Sequence, residues 1–209
     1  MQPSKVNRSS AVRPFILAAS AVLAVVSVLV GWVVCFPAFV MPSASMEKTL
    51  LTGDRFFVDR ISTILGRPLR RGEVVAFRYP PNPREIYLKR VVGVPGDRLR
   101  IRDKVLYRNG VQVPEPYAQH VTSYMDAYRD NFPSVPEIPL PERAMDMLDN
   151  HVVNGELVIP EGKYFVMGDN RDDSADSRYW GFIQRSDVIG RPVLIYGSSD
   201  ASRIWKPVN

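Results

Sequence analysis

The chain has 209 residues, which allows one domain of ordinary size and one additional segment. Its net charge is +5, but acidic residues interleave with the arginines throughout, which argues against a nucleic-acid partner and favours a solvated basic face or contact with anionic lipid head groups. A single cysteine excludes an internal disulfide, so a hydrophobic core must hold the fold.

The first element is an uncharged apolar run, FILAASAVLAVVSVLVGWVVCF, at residues 15–36. It is long enough at helical rise to cross a hydrocarbon core of about 30 Å, which predicts a transmembrane helix. A cleavable signal peptide shares the basic start but has a shorter apolar core, so the length favours an anchor. Basic residues without acids in 1–14 predict a cytoplasmic tail and place an extracytoplasmic catalytic or binding domain at 37–209.

Seven stretches in the outer domain have strand length and are apolar or alternate between apolar and polar residues. They lie at 55–60, 73–79, 85–94, 98–101, 104–107, 163–167 and 188–196. Turn dipeptides separate them, and Asn109-Gly110 is the strongest hairpin signal. These features predict a mainly β fold with a barrel-like, antiparallel β core.

Residues 113–160 differ from the rest of the outer domain because they are rich in proline. The prolines are expected to break any sheet, and short helices are possible at 117–128 and 141–151. We interpret this segment as a variable insertion on the β core.

The segment PSASMEKTL follows the apolar run and contains two serines, Ser43 and Ser45. A serine hydroxyl is a poor nucleophile near neutral pH and needs an adjacent base. Both histidines, His120 and His151, fall in the insertion. The sequence leaves a Ser-His-Asp triad open, but no feature supports one.

Lysine is the alternative base, and Lys89 is the candidate. It lies in the apolar stretch IYLKRVV, where strand alternation places it on one face with Tyr87 and Val91. The pKa of a free lysine is about 10.4, and burial can lower it by as much as about 3–5 pH units. A strand lysine taken alone is more often an exposed edge residue, but the neighbouring motifs favour the base.

Lys48 offers a rival pattern, because Ser45 and Lys48 match the Ser-x-x-Lys motif of penicillin-binding proteins and β-lactamases. Those enzymes also carry Ser-Asp-Asn and Lys-Thr-Gly elements, and this chain contains neither string. Lys89 is therefore favoured over Lys48.

A third block, GDNRDDSADSRYWG at 168–181, is dense in side chains that bond their own backbone and pair with one another. It predicts a rigid polar loop. A calcium-binding loop counted from Asp169 fails, because Ser174 and Trp180 stand where glycine and glutamate are required. No metal site is predicted.

Taken in order, PSASMEKTL, GDRFFVD, YLKRVVGVPGD and MGDNRDDSADSRYWG resemble the serial motifs of bacterial type I signal peptidases. These are membrane-anchored Ser/Lys endopeptidases that remove signal peptides. The resemblance covers most of 37–112 and 160–197. It implies a β-rich, barrel-like serine endopeptidase without metal or organic cofactor, acting on exported preproteins at the outer face of the bacterial cytoplasmic membrane.

The resemblance also assigns roles to single residues. It implies Ser45 as the nucleophile, Lys89 as the general base and Ser174 as the residue that orients the lysine. The Ser45 N–H and the Ser43 hydroxyl would form the oxyanion hole.

Two further matches, Asp176 and Arg178, would pair and hold the loop near the site. The chain departs from the family pattern at Ala44, where glycine is usual, at Lys48, where proline is common, and at Asp173, where asparagine is usual. None of these departures touches a catalytic role.

The reach of the chain points to the membrane surface. Ser45 lies nine residues beyond Phe36, so it stays within about 30 Å of the membrane even when the chain is extended. Apolar residues near the motifs are predicted to line substrate pockets, which by resemblance prefer small residues. These are Met41, Met46, Leu50, Phe56, Tyr87 and Leu88.

A non-enzymatic hypothesis also stays open: a membrane-tethered β domain that binds peptides or lipid. The presence of Ser45, Lys89 and Ser174 argues against it.

Overall fold

The N-terminal helix carries the predicted membrane span. The computed structural model of this protein describes residues 9–208, with side chains from residue 17 onward. Residues 1–8, most of the predicted tail, lie outside the described residues, and helix α1 covers Ser9–Cys35. Its segment Leu17–Cys35 has a mean hydropathy of 2.5, and none of it is buried against the rest of the protein. Its length and composition therefore suit a helix that crosses a bilayer.

Two antiparallel sheets form the part of the chain that follows α1. The larger contains β1 (Ala38–Val40), β2 (Arg55–Asp59), β3 (Val74–Tyr79), β4 (Asn82–Gly93), β10 (Lys163–Met167), β11 (Ile183–Gln184) and β12 (Val188–Gly197). The smaller contains β5 (Arg98–Arg102), β6 (Val105–Arg108), β7 (Val111–Gln112), β8 (Val152–Val153) and β9 (Glu156–Val158). The spatial orders are β1-β2-β12-β3-β4-β10-β11 and β7-β6-β5-β9-β8. Three α-helices accompany the sheets in this part of the chain: α2 (Ile61–Ile64), α3 (Glu142–His151) and α4 (Ser177–Trp180).

The predicted mainly β, antiparallel fold is confirmed. Each of the seven predicted strands is present, with ends displaced by at most three residues. Asn109 and Gly110 join β6 to β7 with φ angles of 53° and 77°, the left-handed backbone that a tight hairpin turn requires. Within residues 9–208 both sheets have free edge strands, so the barrel-like core is not a closed barrel.

The insertion at 113–160 is more integrated than the sequence predicted. Helix α3 confirms the second predicted helix, but 117–128 forms turns instead of a helix. Its backbone bonds to another part of the chain, since the Gln119 N–H donates to the Asp169 carbonyl. As expected, no strand forms in the proline-rich stretch 114–141, but β8 and β9 at the end of the insertion extend the smaller sheet through β5.

Buried side chains on the two faces of the larger sheet position the loops that follow. Met46, Leu50 and Phe56 belong to one cluster, and Phe77 and Val91 belong to another. Because successive residues of a strand point to opposite faces, β4 contributes to both clusters. Full burial of such side chains contributes about 1.5–3 kcal/mol each, which makes this sheet a firm base for the segments around Ser45 and Lys89.

Candidate active site

Ser45 lies in a short 3-10 turn, Ala44–Met46, that follows β1. Met46 is fully buried beneath it and fixes the turn to the core. The loop after β10 holds the other side, because the Asn170 backbone N–H donates to the Ser45 carbonyl at 3.1 Å and its side-chain amide to the Ala44 carbonyl at 3.3 Å. The turn is thus held from two sides, and Ser45 is presented in a defined position.

Lys89 meets Ser45 from the middle of β4, where it is paired with Val75 of β3. Its Nζ lies 2.6 Å from Ser45 Oγ, and the residue is 4% exposed. Burial lowers the pKa of the Lys89 ammonium to about 8, an effect that Asp176 opposes and Arg178 reinforces. The neutral amine is therefore accessible near neutral pH, and it can accept a proton from the Ser45 hydroxyl.

The rival bases do not reach Ser45. Lys48 Nζ donates to the Ala118 carbonyl at 3.2 Å on the protein surface. His120 is hydrogen-bonded to Asp172, and His151 packs edge-on against a phenylalanine ring. The geometry thus assembles neither the Ser-x-x-Lys arrangement nor a Ser-His-Asp triad.

Ser43 stands beside the nucleophile. Its Oγ lies 3.2 Å from Ser45 Oγ and donates a hydrogen bond to it, from an extended backbone at the entry to the 3-10 turn. A hydroxyl at this distance from the attacking oxygen is well placed to reach the oxygen of a carbonyl under attack.

A buried ion pair stabilises the polar loop at 168–181. Arg178 donates through Nε and a terminal nitrogen to the two Asp176 carboxylate oxygens, each at 2.8 Å. Asp176 is fully buried and Arg178 is 1% exposed. Burial raises the pKa of Asp176, but Arg178, together with Lys89 and the Gly168 N–H, outweighs that effect and the net pKa is lowered. Asp176 also accepts a hydrogen bond from the Gly168 N–H at 3.1 Å, so the predicted pair ties the loop to the end of β10.

Gly168 and Ser174 show how closely this loop approaches the nucleophile. A side chain at Gly168 would collide with Ser174 Oγ and with the Ser45 carbonyl. Ser174 is buried, and within the described residues its hydroxyl has no hydrogen-bond partner. No hydrogen bond joins Ser174 to Lys89 in the described residues, so the orienting role of Ser174 stays a prediction.

A cleft of about 340 Å³ opens beside Ser45 and Lys89. Three of the residues predicted to line substrate pockets do line it, namely Met41, Tyr87 and Leu88. The other lining residues are Pro42, Ser43, Ala44, Ile86, Asp173 and Ala175.

The prediction for the remaining three apolar residues is wrong. Met46, Leu50 and Phe56 are fully buried in the core cluster beneath the cleft and do not line it. Their role is to support the turn that carries Ser45.

The model of one protein family, described as "Signal peptidase, peptidase S26", matches residues 15–197. The chain belongs to this signal peptidase family. Family membership makes the protein a serine endopeptidase.

Three members of the signal peptidase family illustrate the similarity, and each is about one-third identical to the chain. Signal peptidase I of Aquifex aeolicus is 32% identical over 194 residues, covering 77% of this chain and 75% of that protein. Signal peptidase I of Bacillus caldolyticus is 34% identical over 156 residues, covering 75% and 76%. A crystal structure of a signal peptidase I from Enterococcus faecalis V583 is 33% identical, covers 60% of this chain and 97% of that one, and superposes with a TM-score of 0.44.

A second buried ion pair, which the sequence analysis did not predict, lies beside Ser45 and Lys89 in this member of the signal peptidase family. Arg90, next to Lys89, donates to both oxygens of Asp169 at 2.8 and 2.7 Å. Thr49, four residues after Ser45, donates to the same carboxylate at 2.5 Å. The three groups connect β4, the polar loop and the nucleophile segment. Each of these three residues lies inside one of the motif blocks, and that position was the signal in the sequence that could have indicated a role for them.

The insertion is also attached to the polar loop, which the sequence did not indicate. Arg171 is paired with Glu115 through two contacts of 2.6 and 2.8 Å. Asp172 accepts a hydrogen bond from the Thr122 N–H of the insertion at 2.8 Å and another from Lys104 Nζ, in the turn between β5 and β6, at 3.1 Å. No local pattern could have paired these residues, because they are distant in the chain.

Metal-ligating side chains are not grouped in the described part of the chain. Within residues 9–208, no set of three or more histidine, cysteine, aspartate or glutamate side chains is arranged to hold a metal ion.

Proposed function

We propose that this protein removes signal peptides from exported preproteins, with Ser45 as the nucleophile and Lys89 as the general base. The observation that carries the proposal is the 2.6 Å contact between Ser45 Oγ and the buried Lys89 Nζ. A base works best when its pKa lies near the working pH, and the pKa of Lys89 is lowered to about 8. No other described lysine or histidine bonds to Ser45.

The proposed reaction begins with proton transfer from the Ser45 hydroxyl to neutral Lys89. The Ser45 oxygen then bonds to the carbonyl carbon of the scissile peptide, and the Ser43 hydroxyl and Ser45 N–H stabilise the negative charge on the carbonyl oxygen. The Lys89 ammonium returns its proton to the leaving amine as the C–N bond breaks. Water, deprotonated by Lys89, hydrolyses the resulting ester and restores Ser45.

We place this reaction at the outer surface of the cytoplasmic membrane. Ser45 lies nine residues beyond Phe36, and the Arg60 N–H donates to the Cys35 carbonyl at 3.0 Å, which ties the catalytic part to the end of α1. Beside this junction, Ile64 and Leu65 are 69% and 72% exposed, as suits contact with membrane lipids. A scissile bond that follows a membrane-inserted signal helix would arrive at the same depth.

The decisive experiment incubates the purified full chain, in detergent micelles, with a labelled preprotein. We expect a single new N-terminus from the wild type and none from Ser45→Ala. A wild type that binds the preprotein without serine-dependent cleavage would instead support the membrane-tethered binding protein.

The pH dependence of cleavage is a further prediction. Since Lys89 acts as a base only when neutral, kcat/KM should rise with pH through about 8 and level off above it. At pH 7 about a tenth of the molecules would carry neutral Lys89. Initial rates measured from pH 6 to pH 10 with one peptide substrate test this. A rate that is flat between pH 6 and pH 8 would contradict Lys89 as the base.

A further inference from the structure

The cleft beside Ser45 carries a charge that the proposed reaction does not use. Asp173 lines the cleft and is exposed. Within residues 9–208 its carboxylate accepts no hydrogen bond and forms no ion pair. By contrast, Asp169, Asp172 and Asp176 of the same loop are all paired with basic side chains. The Asp173 carboxylate is therefore free to interact with a bound peptide.

The charge balance of the cleft indicates which peptides it favours. Of the described residues that line it, only Lys89 and Asp173 have charged side chains. In the form that starts the reaction Lys89 is neutral, so Asp173 supplies an uncompensated negative charge. The sign of the field in a cleft selects among charged ligands.

We propose that Asp173 is a specificity-determining residue, which favours substrates with a basic side chain near the scissile bond and disfavours those with an acidic one. This inference rests on the proposed function. It concerns the choice of substrate and not the chemical step.

The size of the effect follows from the exposure of Asp173. Water screens an exposed carboxylate, so a single charge pair gives a modest preference. The attraction of a substrate lysine and the repulsion of a substrate glutamate add to each other. At the peptide position where the effect is largest, we expect kcat/KM to differ about three- to tenfold between the lysine and the glutamate peptide. Added salt should reduce this ratio, because the Debye length falls to about 3 Å at 1 M ionic strength.

Asp173 should also influence the base. The charged groups that act on Lys89 include Asp176, Arg178 and Asp169 as well as Asp173, and the negative charge of Asp173 favours the ammonium form. Replacing Asp173 with asparagine removes that charge. The rise of kcat/KM with pH should then move to lower pH.

The test uses the full chain in uncharged detergent micelles and a set of fluorogenic signal-sequence peptides. Lysine, glutamine or glutamate is placed singly at each position from three residues before to three residues after the cut. Wild type is compared with Asp173→Asn, which retains the fold because the replaced carboxylate has no partner. Glu161→Gln is the matched control, since Glu161 is an exposed carboxylate in the turn before β10 that does not line the cleft.

The expected result is a lysine-over-glutamate preference at one or more positions in the wild type. It should fall towards unity in Asp173→Asn and in high salt, and remain in Glu161→Gln. An unchanged preference in Asp173→Asn, or an equal loss in Glu161→Gln, would overturn the inference while the neutral peptide is still cleaved. Failure of the wild type to cleave even the neutral peptide would instead overturn the proposed function.

Discussion

Lys89→Met is expected to lower kcat/KM for a signal-sequence peptide by about 10²- to 10⁴-fold, because it removes the proposed base that deprotonates Ser45. Methionine is apolar and similar in length, so it can occupy the buried site of Lys89 without leaving a charge there. Lys89→Arg should be equally inactive, since arginine stays protonated at any pH used in the assay. Lys89→Met should keep the circular dichroism spectrum of the wild type.

Three variants control for the rival bases. Lys48→Ala, His120→Ala and His151→Ala should each retain cleavage, because none of these side chains bonds to Ser45. Loss of activity in Lys48→Ala together with retention in Lys89→Met would identify Lys48 as the base. The protein would then use the mechanism of the Ser-x-x-Lys enzymes.

Arg178→Met is expected to destabilise the protein by about 3–5 kcal/mol, because it leaves the Asp176 carboxylate buried without its ion partner. Arg178 also donates to the Arg171 carbonyl at 2.7 Å, so the substitution removes a second support of the loop. Urea unfolding in detergent, followed by tryptophan fluorescence, measures the change. Trp180 is a suitable reporter, since it is buried two residues further along the chain.

The matched control is Arg98→Met. Arg98 pairs with Glu156 at 2.8 Å, but its side chain is 37% exposed, so its loss should cost at most about 1 kcal/mol. The double variant that combines Asp176→Asn with Arg178→Met should recover part of the stability, because it removes the buried and uncompensated charge of the Asp176 carboxylate. Equal costs for Arg178→Met and Arg98→Met would show that the buried pair does not hold the loop.

Much of the secondary structure could be predicted from the sequence, because it depends on local patterns. Apolar periodicity and turn dipeptides identified the strands of both sheets except the short ones at the edges and in the insertion. The Asn109-Gly110 hairpin followed from a backbone conformation that few other dipeptides adopt readily. The helix predicted at 117–128 failed, because hydrogen bonds to the polar loop replaced the helical ones.

Motif spacing and the apolar strand around Lys89 were sufficient to predict Ser45 and Lys89 as the candidate reacting residues. The pocket could not be predicted in the same way. Met41 and Met46 are both apolar, near the motifs and part of the same buried cluster, but only Met41 also lines the cleft. Met41 lies before the 3-10 turn and Met46 ends it, and a list of apolar residues does not tell which of the two also borders the cleft.

The sequence by itself determined the apolar segment, the mainly β class and the choice of Ser45 and Lys89 as candidates for the nucleophile and the base, because each depends on neighbouring residues. Only the tertiary structure decided that Lys89 is buried and that its Nζ lies 2.6 Å from Ser45 Oγ. The two residues are 44 positions apart in the chain. It also decided that Arg90 pairs with Asp169 across 79 positions. Such contacts arise from the packing of the whole sheet, and burial is a property of the neighbours that folding brings together.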